Sequence, residues 1–530
     1  MWQQTYTPVG DSLPLSTLVA ALPIFTLLFL LGVLRKPAWV ASLAGLAAAA
    51  AVAGGVYGMP VSQLLSSIAY GAAFGLFPIG WVVFSAILLY RVTLESGKFE
   101  VLKDSIGHLT ADRNLQALLI AFAFGAFIEG AAGFGTPVAV AAAMLAGLGF
   151  EPFYAAAICL LANTAPVAFG SIAIPITTLA VTTGLPLDRL SAGVGRICAP
   201  VSLFVPAYLI AVMSGRAGLK QAWKPAALCG IAFGGTQFVV SNFIGPQLTD
   251  ILSSMAAMAA LLIFVQASPG RTQTAPRHSA SQVWQAWVPY ILLVIFVLAW
   301  GIDPIKSQLA STNIPISWPG LHNLIQRMPP VVAKPSPYGA VYNFTWLSAS
   351  GTACLLAAIL AAIVAGLRPG QFARVLGVTA KQLAKAELTL AAVLGLAFLM
   401  NYSGSTATLG LAFAATGPAF PFFSALLGWL GVFLTGSDTS ANVLFGTLQV
   451  VTANKLGQNA VLMAAANSAG GVMGKMISLT SIAVAAAATA MKREQEAMLF
   501  RFTLKHSIFL ASIIGLLTLF YAYVMPSLAP

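Results

Sequence analysis

GAFIEGAAGFGTP, residues 125 to 137, and GVFLTGSDTSANV, residues 431 to 443, are apolar stretches broken by glycines and each carrying one acid. Aligned, Gly125 meets Gly431, Phe127 meets Phe433 and Gly130 meets Gly436. A second pair follows at nearly the same spacing. ANTAPVAFGSIAIP, from Ala162 to Pro175, aligns with ANSAGGVMGKMISL, from Ala466 to Leu479, so that Asn163 meets Asn467 and Gly170 meets Gly474. Interrupted apolar segments at matching positions of two halves point to a duplicated fold and to a binding site where the helices break.

The composition around these segments is that of a membrane protein. Of 530 residues, 59% are hydrophobic and 8% charged, against roughly 25% charged in soluble domains. Apolar runs of about 20 residues, the length that crosses a hydrocarbon core of ~30 Å, recur along the chain and predict about 12 to 14 crossings. The fold class expected is an all-α polytopic membrane protein of two repeated halves with broken helices or re-entrant hairpins. Residues 1–266 form the first half, 267–287 a polar cytoplasmic connector and 288–530 the second half. A proline-rich stretch from Asp303 to Tyr338 reads as an ordered external loop.

Arg35 and Lys36 follow the first apolar run, and basic residues collect in 91–113, 216–224, 368–385 and 492–505. The positive-inside rule makes these cytoplasmic and places the N-terminus outside. Residues 1–13 lack Lys and Arg, so the first run reads as a retained span and not a cleaved signal. The net charge of +12 is that of basic loops beside an anionic leaflet and requires no nucleic acid. Cys159, Cys198, Cys229 and Cys354 stand singly in apolar runs, and the four histidines fall in or near polar loops. Neither set has the spacing of a disulfide framework or metal site, so no metal or cofactor is expected.

Irregular backbone at membrane depth survives only where protein or a wet cavity satisfies it. Broken helices there expose N–H groups and positive dipole ends that suit a carboxylate. Gly133, Thr136, Asn163, Thr164, Thr439, Ser440, Asn442, Asn467 and Ser468 supply flexible backbone and neutral polar groups around such a site. The competing reading is that small and hydroxylated residues merely let helices pack closely. Three charges lie inside these apolar runs, where each costs at least ~2.5 kcal/mol: Glu129, Asp438 and Lys475. A carboxyl withdrawn from water holds its proton more readily, so Glu129 and Asp438 are the candidate proton-coupling groups. Lys475 is the candidate counter-charge for a bound carboxylate, or else one half of a permanent ion pair that only fixes helices. Glu387 reads as a boundary charge.

These motifs resemble those of the lactate permease family nearly from end to end. The likeness includes EGAAGFGTP, NTAPVAFG, GSDTSAN and GKMIS, with NFIGP (242–246), RMPPVV (327–332), NYSG (401–404) and FRFTLKHS (500–507). NYSG adds Tyr402 and Ser403 to the candidate substrate contacts. The resemblance implies uptake of L-lactate, with D-lactate and glycolate, driven by a proton gradient. A more distant likeness, to ion transporters with inverted repeats, implies an elevator-like motion. Sodium coupling through carbonyls near Asn163 and Asn467, a passive channel, and an intramembrane enzyme using Glu129 and Asp438 are the alternatives. The enzyme has no nucleophile with a neighbouring base to support it. Lactate, a proton and membrane lipid are the expected partners, and the assembly is left open between monomer and homodimer.

Overall fold

The computed structural model describes residues 1–107, 109–133, 135–267 and 278–530. Most are helical, as the apolar runs require, because only an internally hydrogen-bonded backbone crosses lipid. Among the described residues, eleven helical segments are long and apolar enough to span, twelve with the bent pair Pro152–Ala162 and Val167–Thr183. One of them, Leu187–Phe243, has 57 residues, about 86 Å at 1.5 Å per residue, far more than one crossing. It breaks at Gly215 (φ 64°, ψ −166°) and folds back on itself: Ser191 Oγ donates to Ser241 O at 2.7 Å. Of the expected connector, residues 268–277 lie outside the described residues, and residues 280–287 begin the helix Ala280–Gly301.

The two halves share an order of elements. In the first, the helix ending at Ala131 breaks and resumes as Thr136–Gly147, and Pro152–Ala162 breaks and resumes as Gly170–Thr183. In the second, Phe420–Thr435 breaks at Gly436 and resumes as Asp438–Leu456, and Ala460–Lys475 breaks and resumes as Leu479–Ala488. Thr136–Gly147 (12 residues) and Leu479–Ala488 (10 residues) are too short to span ~30 Å, and they pack against each other. Half-length helices of the two repeats thus meet inside the bundle.

Small residues allow the approach. A Cβ on Gly428 would lie 1.8 Å from Asn467 O, and one on Gly470 would lie 2.0 Å from Ala425 O. Phe420–Thr435 and Ala460–Lys475 therefore touch backbone to backbone, as glycine permits where lipid supplies no hydrophobic drive to association.

At the opposite end from these breaks lies a small β structure. Trp2–Gln3 pairs in parallel with Ile325–Arg327, which pairs antiparallel with Ser336–Pro337, and Ile314–Ser317 pairs with Val341–Phe344. The expected ordered loop is ordered by these ladders. Gln4 ties the N-terminal strand to the bundle, its Nε2 donating to Asn401 O (2.9 Å) and Tyr402 O (2.8 Å).

Candidate functional site

The breaks of both repeats converge on one cavity of about 200 Å³. Gly135, the N-cap of Thr136–Gly147, lines it, as do Ser437 to Thr439 at the start of Asp438–Leu456 and Thr480 and Ser481 at the start of Leu479–Ala488. The fourth wall is Gly170, Ser171, Ile174 and Pro175. Here the chain makes a left-handed turn through Ser171, Ile172 and Ala173 (φ 48°, 58° and 59°) before the right-handed helix begins. Left-handed geometry costs a non-glycine residue roughly 1–2 kcal/mol, and the buried Ser171 Oγ, donating to Ala132 O at 2.9 Å, holds it in place. Four helix starts therefore aim their positive ends at one space, the arrangement that favours an anion.

Three charged side chains share the lining: Glu129, Asp438 and Lys475. Glu129 lies in the last turn of Gly125–Ala131, with Oε2 buried and without a hydrogen-bond partner. Gly170 presses on it, since a Cβ there would sit 2.6 Å from Oε1. Asp438 Oδ2 accepts from Ser468 Oγ at 2.7 Å and from Asn442 Nδ2 at 3.4 Å, while Oδ1 is buried and unpartnered. Lys475 ends Ala460–Lys475, where a helix C-terminus favours a cation, and it makes no ion pair within 4.0 Å among the described residues. The permanent ion pair that the sequence allowed is therefore absent from this conformation.

Behind Asp438 runs a buried amide chain. Asn442 Nδ2 donates to Ser468 Oγ (3.1 Å) and Pro175 O (3.2 Å), Asn467 Nδ2 donates to Asn442 Oδ1 (2.9 Å), and Gln449 Nε2 donates to Asn467 Oδ1 (3.0 Å). Asn442, Asn467 and Ser468 thus support Asp438 from behind, whereas Thr439 reaches the cavity directly. Ser440 gives its backbone N–H to Ser437 Oγ at 3.2 Å. Gly133 (φ 59°) packs on Ser171, and Thr136 starts its helix one residue past the lining residue Gly135. Asn163 lies against Glu129 with both polar atoms short of a hydrogen bond, and Thr164 Oγ1 donates to Leu161 O at 2.7 Å. Tyr402 and Ser403 are elsewhere: Tyr402 Oη donates to Gly339 O at 2.8 Å, at the end that carries the β ladders.

A third buried carboxylate is not conspicuous in the sequence. Asp250, in the first turn of Thr249–Ala267, is 1% exposed with both oxygens unpartnered. It packs on the Glu129 segment, where a Cβ on Gly130 would lie 2.7 Å from Asp250 Cβ. In sequence Asp250 stands just before an apolar run, the usual place of an interfacial charge, and nothing local tells that this helix start is buried in protein. Glu387, read as a boundary charge, lies in the middle of Pro369–Ser403 against Gly80.

The family described as L-lactate permease matches residues 16–525. An L-lactate permease of Bacillus subtilis is 43% identical over 564 residues, with both chains covered completely. The L-lactate permease of Escherichia coli K12 is 43% identical over 553 residues, again over the whole of both. The glycolate permease GlcA of the same strain is 43% identical over 553 residues, covering 99% of this chain and 98% of its own.

Proposed function

The chain belongs to the L-lactate permease family, and from that premise we propose that it imports L-lactate, and with it D-lactate, glycolate and related 2-hydroxymonocarboxylates, by proton symport across the bacterial cytoplasmic membrane. The observation that carries the coupling is the charge inventory of the cavity, two carboxyl groups and one unpaired lysine. With both carboxyls ionised the three sum to −1, and a monocarboxylate entering this desolvated space would meet net repulsion. One proton on Glu129 or Asp438 brings the sum to zero and lets the anion bind against Lys475 and the four helix starts. The substrate then enters only with a proton, and both leave together when the cavity faces the other side. Ser171, Ser437, Thr439, Thr480 and Ser481 line the cavity and supply the hydroxyls for the substrate's 2-hydroxyl.

The halves 1–266 and 288–530 each lend broken helices to the cavity, which suits alternating access by relative movement of repeated units. The basic clusters support a cytoplasmic position for the cavity's end, with the N-terminus and the β ladders outside. The cavity then belongs to an inward-facing state. Sodium coupling has one observation in its favour, the unpartnered amide oxygen of Asn163 beside Glu129.

The test is L-lactate uptake into proteoliposomes under an imposed proton gradient, wild type beside Glu129→Gln, Asp438→Asn and Lys475→Ala. Accumulation lost in one carboxylate variant that still exchanges lactate assigns that acid to coupling. Accumulation that ignores the proton gradient and follows sodium at fixed pH replaces the proton by sodium.

A further inference from the structure

The helices Gly170–Thr183 and Asp438–Leu456 run side by side from the cavity just described to a second one. Their starts line the first, and their far ends, Thr183 and Asn454 with Lys455, line the other. Between the two spaces the pair is sealed: Asn442 bonds to Pro175 O, a Cβ on Gly446 would lie 2.7 Å from Leu179 Cδ1, and Thr447 Oγ1 donates to Thr182 O at 2.9 Å. From Asp438 to Lys455 the helix rises about 25 Å. The second cavity, of about 330 Å³, is of the size of a small ligand site.

Its chemistry differs from the first. Arg327 and Lys455 are the charges in its wall, and no Asp or Glu lines it among the described residues. Gln4, Asn401 and Thr447 add neutral polar groups. Arg327 is held by stacking, its guanidinium 4.9 Å from the centroid of Tyr338, whose ring lies 4.3 Å from that of Tyr402. It makes no ion pair and no side-chain hydrogen bond to the described residues, and its Nε is buried without a partner. A rigid, oriented guanidinium facing a cavity without a counter-charge is equipped for a carboxylate, which it can grip with two parallel bonds.

We propose that this outer cavity is a second binding site for the transported monocarboxylate, with Arg327 as its anchor and Lys455 as a supporting charge, loaded from outside before the seal opens toward Asp438. The proposal rests on the reading that the chain carries monocarboxylates. It also gives RMPPVV and NYSG a shared place, since Arg327, Pro330, Val331 and Val332 of the first and Asn401 of the second line this space.

The experiment measures L-lactate transport from each face in right-side-out and inside-out vesicles. Arg327→Cys should raise the external KM about tenfold or more, the loss expected for a hydrogen bond to a charged group, with the maximal rate and the internal KM unchanged. Aminoethyl methanethiosulfonate, which restores a cation at the introduced thiol, should bring the external KM back toward wild type, whereas the sulfonatoethyl reagent should not. The native cysteines are buried, and wild type treated alike is the labelling control. Arg327→Lys should fall between. An external KM unchanged in Arg327→Cys overturns the proposal, as does a lowered maximal rate indifferent to the charge restored, which would make Arg327 a prop for its loop. Wild-type vesicles that carry no lactate would instead refute the monocarboxylate reading itself.

Discussion

Gly471→Ala tests whether the setting of Asp438 matters for transport. A Cβ at Gly471 would lie 2.3 Å from Asp438 Oδ1 and 2.9 Å from Val432 Cγ2, against 3.4 Å for ordinary contact. Both neighbours are side chains, so the helices can stay in place while the carboxylate retreats by about 1 Å. That movement takes it out of range of Ser468 Oγ, now at 2.7 Å. A hydrogen bond to a charged group is worth roughly 1.5–3 kcal/mol, so kcat/KM for lactate should fall about 10- to 100-fold at undiminished membrane abundance. Gly470→Ala is the contrast. Its Cβ would meet the backbone of Ala425 at 2.0 Å, which cannot yield without separating two helices, so this variant should be lost at the level of folded protein. The assay is gradient-driven lactate uptake in vesicles normalised to transporter detected by antibody. Uptake by Gly471→Ala within about twofold of wild type would refute the argument that the Asp438 position is set by this contact.

Gly170→Ala should act likewise on Glu129, whose Oε1 a Cβ there would approach to 2.6 Å, and the same uptake assay checks it. Asp250→Asn should abolish accumulation against a gradient while sparing lactate exchange if Asp250 shares protons with Glu129; accumulation equal to wild type would make it structural. Asn467→Ala opens the chain Gln449–Asn467–Asn442 and should cost about 1–3 kcal/mol, read as a lower unfolding temperature in detergent. Gln4→Ala removes two hydrogen bonds that hold the N-terminal strand and should speed cleavage near the N-terminus by added protease.

The sequence by itself determined the class of fold and the identity of the breaks. Hydropathy fixes spans because lipid admits few other backbones, and the glycines at 133, 135 and 436, all at positive φ, mark the interruptions. It also picked out Glu129, Asp438 and Lys475, because a charge inside an apolar run is costly enough to be conspicuous. Only the tertiary structure decided which polar residues face the cavity and which stand behind it. Asn442, Asn467 and Ser468 share the motifs with Thr439, yet rotation about the helix axis turns them to Asp438 and the neighbouring helix. Asp250 and Arg327 became legible only in three dimensions. Both sit where the sequence turns polar, and whether such a residue meets water or protein depends on elements hundreds of positions away. Tyr402 shows the converse, a motif residue whose hydroxyl is taken up by Gly339 O, because the site is defined by where helices end in space and not by how closely a motif recurs.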